Sequence, residues 1–122
     1  MANEISCRIN LSISNGNLIE NINESYSADQ SVARGPLPGS QLIGTTEEVL
    51  VLTDLGTPGV AIFKNLDAIN YVQLGLVVAG TFYPFIKLKA GESCLFRVDP
   101  TAVIYARANA APVFLQAKVF SD

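Results

Sequence analysis

From Ile5 to Ser14 apolar and polar residues alternate without a break, with Ile5, Cys7, Ile9, Leu11 and Ile13 set against Ser6, Arg8, Asn10, Ser12 and Ser14. A period of two predicts a β-strand with one face on a core and the other in water. Asn15-Gly16 follows at once, and because both residues tolerate positive φ, a tight hairpin turn is expected there. The return strand is weaker. Leu18, Ile19 and Ile22 sit among Asn and Glu, so it is expected to fade near Tyr26 or run on as a ragged edge.

The segment from Arg34 to Gly44, RGPLPGSQLIG, carries two prolines and three glycines. Pro removes a ladder donor and Gly weakens a strand, so the segment is expected to be a long surface loop or an extended arm. Strand character returns from Glu47 to Leu52, breaks at the turn DLGTPG (54–59) and resumes from Val60 to Phe63. A turn from Asn65 to Asn70 leads into a mostly apolar strand from Tyr71 to Val78, interrupted by Gly75 and ended by Gly80. Phe82-Tyr83-Pro84-Phe85 opens a strand through Leu88, Ala90-Gly91 turns the chain, and Glu92 to Val98 returns. A last pair, Ala102 to Ala108 and Val113 to Phe120, is joined by NAAP (109–112), and both faces of its second strand are partly apolar.

About eight short strands with no sustained helical period predict an all-β chain, an antiparallel β-sandwich with a jelly roll among its topologies. At 122 residues, 49% hydrophobic and 16% charged, the chain has enough apolar material for one core and is expected to form a single domain over residues 1–122. Its mean hydropathy is positive, high for a small protein whose large surface-to-volume ratio calls for a polar exterior, which predicts that some apolar surface meets a partner.

The formal net charge is −3 and the eight Lys and Arg are scattered singly, so the footprint of a nucleic-acid binder is missing. Apolar runs such as Leu76 to Ala79 fall far short of the roughly 18 residues of a membrane span. Met1-Ala2-Asn3-Glu4 has no basic stretch and no apolar core follows it, so the expectation is a protein made in a cytoplasm without Sec-type export. Cys7 and Cys94 are expected to be reduced, strand-borne thiols that pack as small hydrophobes.

There is no histidine, which removes the usual general base, the usual transition-metal ligand and every Ser-His or Cys-His nucleophile. Two cysteines alone make neither a structural zinc site nor a C-x-x-C pair. Glu47, Glu48, Asp54, Asp67, Glu92 and Asp99 could in principle supply a glycosidase pair, but turn and strand-edge carboxylates are common, and the expectation is no catalytic residue, no metal and no cofactor. Two segments stand out as candidate partner contacts. One is the Pro-Gly arm with Arg34, Pro36, Leu37 and Pro38, and the other is the aromatic cluster Phe82, Tyr83 and Phe85, of which at least two are expected to cap the core between strands.

GTPGVAIFKNLDAINYVQLG (56–75) and FIKLKAGESCLFRVDP (85–100), with the ISNGN turn (13–17) and GTTEE (44–48), resemble a group of small virion proteins of tailed bacteriophages. The shared pattern is an aromatic strand, an N-L-D turn, N-Y-V, and K-L-K-x-G-E before an apolar strand. The resemblance implies a β-sandwich carried on the virion, a head decoration or cement protein that contacts the major capsid protein and forms a dimer or trimer. Its alternative is a neck, tail or fibre module that binds another virion protein or host-surface glycans, for which Tyr71, Tyr83 and Tyr105 are the available aromatic anchors.

Overall fold

Strands β1 (Ile5–Asn15) and β2 (Leu18–Ala28) pair antiparallel over their whole length with no register shift. The computed structural model describes residues 3–52 and 55–122. They fall into two compact units, Met1–Val32 and Ala33–Asp122, and each is described by itself.

In the first unit Asn15 pairs with Leu18, so the turn residues are Gly16 and Asn17, one position later than an Asn-Gly turn. Gly16 has φ 58° and Asn17 is not in the positive-φ region. Gly first is the arrangement of a II′ loop, whose twist suits a hairpin. The register sets Leu11 opposite Ile22 and Cys7 opposite Tyr26, which gathers the apolar residues of both strands on one face except Ile19, which lies opposite Ser14 on the other. β2 therefore neither fades nor frays. That face, expected to be core, is open. Ile9, Leu11, Leu18 and Ile22 are 43–52% exposed, and only Cys7 among the β1–β2 residues is buried.

The second unit contains β3 (Leu37–Ile43), β4 (Glu48–Val49), β5 (Pro58–Asn65), β6 (Val72–Val78), β7 (Thr81–Leu88), β8 (Ser93–Arg97), β9 (Tyr105–Ala108) and β10 (Val113–Ser121). Every pairing is antiparallel. β3 pairs with β10, β4 with β9, β5 with β8 and β6 with β7, so the eight strands are one long ribbon folded back on itself and rolled up. Rolling gives two four-stranded sheets, β3-β10-β5-β8 and β4-β9-β6-β7. This is a jelly-roll sandwich. Between the sheets, Val113, Leu115, Ala117 and Val119 of β10 meet Phe63, Val72, Leu74 and Ala106 in a continuous core, and Phe63 stacks on Phe96 with centroids 5.3 Å apart.

The Arg34–Gly44 segment is not a loop throughout. Its second half is β3, in register with β10 from Leu37–Val119 to Ile43–Val113. Proline is tolerated because β3 is an edge strand with β10 as its one sheet neighbour, so Pro38 costs no central ladder bond. β4 is shorter than the expected Glu47–Leu52 strand, and the turn expected at 54–59 begins on Asp54, outside the described residues. Past Val49 the Gln41 amide takes the place of a strand neighbour, donating to Val49 O at 3.0 Å and accepting from Val51 N at 3.1 Å. This stitches β3 to the β4 side of the sandwich.

In the β6–β7 hairpin the register slips by one residue at Leu74/Gly75, and Gly75 then faces Pro84. A Cβ at Gly75 would overlap the Tyr83 carbonyl oxygen and lie 2.7 Å from Pro84 Cα, so this bulge requires glycine. Asn65, fully buried at the end of β5, ties the sheets together at that corner. Its Nδ2 donates to Asn70 O (2.8 Å) and Leu88 O (3.0 Å), and its Oδ1 accepts from Asp67 N (2.8 Å).

Candidate interaction surfaces

Four of the six carboxylates that could have formed a catalytic pair, Glu48, Asp67, Glu92 and Asp99, are occupied by local hydrogen bonds. Asp67 Oδ2 accepts from the backbone N–H groups of Asn70 (2.6 Å) and Ile69 (2.9 Å), and those bonds, Asn70 first, hold its carboxyl below the ordinary range. Asp99 is held low by the Thr101 hydroxyl (2.6 Å) and then by the Thr101 backbone N–H (2.9 Å). Both shifts run opposite to what a general acid needs. Glu92 accepts from Lys89 N at 2.8 Å, Glu48 accepts from Gly44 N at 3.0 Å, and Asp54 lies outside the described residues. No group of three or more His, Cys, Asp or Glu close enough to hold a metal ion occurs among the described residues. Cys7 and Cys94 are both free thiols, and burial pushes the Cys94 thiol up against a smaller opposing effect of the Phe63 backbone.

The two segments picked out from the sequence fall on opposite sides of the sandwich. Arg34, Pro36, Leu37 and Pro38 run along the β3 edge, where Gln41 bridges to β4. Phe82, Tyr83 and Phe85 lie on β7, the edge joined to β8 by the Lys89–Glu92 turn. They make no common site. Arg34 and Pro36 are exposed, and the Arg34 carbonyl accepts from Ser121 N at 3.0 Å, which anchors the arm to the end of β10. Leu37 packs half-buried against the core.

Phe82 is buried, with the Arg107 guanidinium 4.7 Å above its ring, whereas Tyr83 (56%) and Phe85 (66%) are exposed. β9 pairs with β6 only as far as Gly75, so Leu76 to Val78 and their β7 partners project past it as a two-stranded tip. Tyr83 shares that tip with exposed Leu76 and Val78, and Phe85 lies below it at the bulge. The remaining tyrosines offer less. Lys87 covers the Tyr71 ring at 4.1 Å and Tyr105 is half-buried, so the three do not form a stacking platform.

Two larger apolar surfaces escaped the sequence reading. The first is the open face of the β1–β2 hairpin. The second is the outer face of the β3-β10-β5-β8 sheet, where Leu42 (50% exposed) lies opposite Phe114 (55%). Leu66 (44%) extends the row, its N–H donating to Phe114 O at 3.0 Å. Phe114 on the polar phase of β10 was the sequence signal for this row. Its partners could not be named before β3 was recognised as a strand.

Charge divides between the units. Met1–Val32 holds Glu4, Glu20, Glu24, Asp29 and Arg8, a net −3 that equals the charge of the whole chain, while Ala33–Asp122 balances seven acids with seven bases. The described acids of the second unit sit at loops, turns and strand ends, and its strand interiors carry Lys64, Lys87, Arg107 and Lys118.

No protein-family model matches the chain, and no curated protein matches it. Among solved structures it overlaps a chain from Bacillus endospore appendages, described as forming a novel family of disulfide-linked pili, with 11% identity over 99% of this chain and 90% of that one. The TM-score is 0.38, too low for this overlap to bear on either fold or function.

Proposed function

We infer that this protein is a non-catalytic structural subunit, built into a larger particle by burying apolar β-surface against its neighbours. The observation that carries the reading is the β1–β2 hairpin. An isolated two-stranded ribbon is at best marginally stable in water, and this one leaves Ile9, Leu11, Leu18 and Ile22 exposed along one face. A face of that composition is suited to being covered. The exposed row Leu42–Phe114–Leu66 adds a second surface of the same kind.

The phage-virion likeness of the GTPGVAIFKNLDAINYVQLG and FIKLKAGESCLFRVDP segments supports a head decoration or cement role, in which area buried at subunit junctions raises the free energy needed to pull the shell apart. The partner is then the major capsid protein together with further copies of this chain. A neck, tail or fibre position would use the same surfaces against another virion protein. The test is the thermal or osmotic stability of particles from a phage deleted for this chain. Release of DNA at a lower temperature, restored by adding the purified protein, is the expected result. Particles of unchanged stability would count against a cement role.

A further inference from the structure

The hairpin face and the outer face of the β3-β10-β5-β8 sheet complement each other in charge as well as in polarity. On the hairpin face the apolar residues of β1 lie beside Leu18, Ile22 and Tyr26 of β2, and the charges among them are Glu20 and Glu24. These two carboxylates flank Ile22 and stand roughly 13 Å apart along the strand. Neither has a hydrogen-bonding or ionic partner among the described residues. A second hairpin cannot cover this face well. Stacking the same face of two copies would enclose four carboxylates and no cation, and like charges desolvated together oppose association.

The sheet face has the opposite character. Lys64 faces Gln116 and Lys118 faces Ile62, so the two ammonium groups lie on one surface on adjacent strands, two residues out of step. Neither lysine has a partner among the described residues. Around them lie Ile62, Leu42, Phe114 and Leu66, all 41–55% exposed. Glu92 and Asp122 border that sheet and both are engaged: Glu92, next to the Ser93 partner of Lys64, accepts from Lys89 N at 2.8 Å, and Asp122 is bound by Arg97 at 2.8 Å. Flexible four-carbon stems let both lysines reach carboxylates spaced along a crossing strand.

We propose that the apolar face of the β1–β2 hairpin of one copy lies on the outer face of the β3-β10-β5-β8 sheet of a second copy, with Glu20 and Glu24 paired to Lys64 and Lys118. Donor and acceptor are different surfaces, so every copy offers one of each and the contact is head-to-tail. It closes into a ring if the rotation between copies allows, and otherwise it propagates as a filament. This rests on the reading of the chain as an assembly subunit and specifies how copies join.

The experiment is sedimentation velocity of the full-length chain at tens of micromolar, with thermal melting to confirm folding. Wild type is expected to sediment as an oligomer. Glu20→Lys/Glu24→Lys and Lys64→Glu/Lys118→Glu are each expected to weaken association about a hundredfold, because each sets like charges opposite one another. Mixed one to one, the two variants are expected to co-assemble, since every hairpin then meets a sheet of opposite charge. If either charge-reversed chain melts well below wild type, the neutral pair Lys64→Gln/Lys118→Gln takes its place and is expected to associate at least tenfold more weakly than wild type. Three outcomes overturn the proposal: a monomeric wild type, a Lys64→Glu/Lys118→Glu chain that associates as wild type does, or a mixture that stays monomeric. Binding of each variant to particles deleted for the chain separates the two levels. Wild-type binding by Lys64→Glu/Lys118→Glu would remove this contact and leave the subunit reading intact.

Discussion

Replacing Asn65 by leucine keeps roughly the shape of a fully buried side chain and removes three hydrogen bonds at once. The Asn70 and Leu88 carbonyls lose the Nδ2 donor that now lies 2.8 and 3.0 Å away, and the Asp67 N–H loses its acceptor at 2.8 Å. A buried polar group left without its partner costs about 1–3 kcal/mol. The Leu88 bond is buried while those to Asn70 and Asp67 are partly so, hence water can repair some of the loss. A net destabilisation of roughly 2–4 kcal/mol follows, after the added apolar burial of leucine is set against three orphaned groups. For a jelly roll of this size that corresponds to a fall in Tm of roughly 10–25 °C. The assay is thermal melting by circular dichroism at one fixed protein concentration, since assembly shifts apparent stability. Thr81→Ala, at the exposed start of β7, serves as the control and should stay within about 0.5 kcal/mol of wild type. An Asn65→Leu chain that melts within about 3 °C of wild type would refute the claim that this amide ties the two sheets together.

Gly75→Ala should cost about 1–3 kcal/mol or more, because the added methyl overlaps the Tyr83 carbonyl and only backbone movement relieves it, and faster amide exchange confined to β6 and β7 is the expected signature. Asp67 has a folded-state pKa below its ordinary 3.8, so its turn contributes stability that is present above that value and lost as pH falls through the lower folded-state one; Asp67→Asn should flatten this part of an acid-unfolding curve, and an unchanged curve would contradict the assignment. Arg97→Ala should cost no more than about 1 kcal/mol by urea denaturation, since the ion pair with Asp122 is surface-exposed on both sides.

Much of the fold was legible because burial in a sandwich imposes a period of two. The alternations in β1 and β10, the Gly75 interruption and the turn around Asn65 each left a local mark in the sequence. β3 did not, because the features that let it serve as an edge, Pro38 and Gly39, are those that argue against a strand when read alone. The turn at Gly16 was placed one residue early because Asn-Gly and Gly-Asn overlap in NGN (15–17), and the cross-strand register that decides between them is not a local property. The candidate surfaces were harder still. Period two marks which residues share a face but not whether another layer covers it, so the apolar face of β1 read as core when it is open. Phe82 and Phe85, three residues apart, fall on opposite faces as a period of two requires, one beneath Arg107 and one in solvent, where Phe85 is the residue left without a β6 partner at the bulge.

A role as an assembly subunit requires the hairpin face to be covered by protein when the chain is in its working state. Hydrogen exchange followed by mass spectrometry, on the chain in its assembled particle and on the chain released from it, reads this directly. The expected result is strong protection of the amides from Ile5 to Ala28 in the particle, lost on release while the β5 and β10 amides stay protected. Equal exchange of the hairpin amides in the two states would contradict the account.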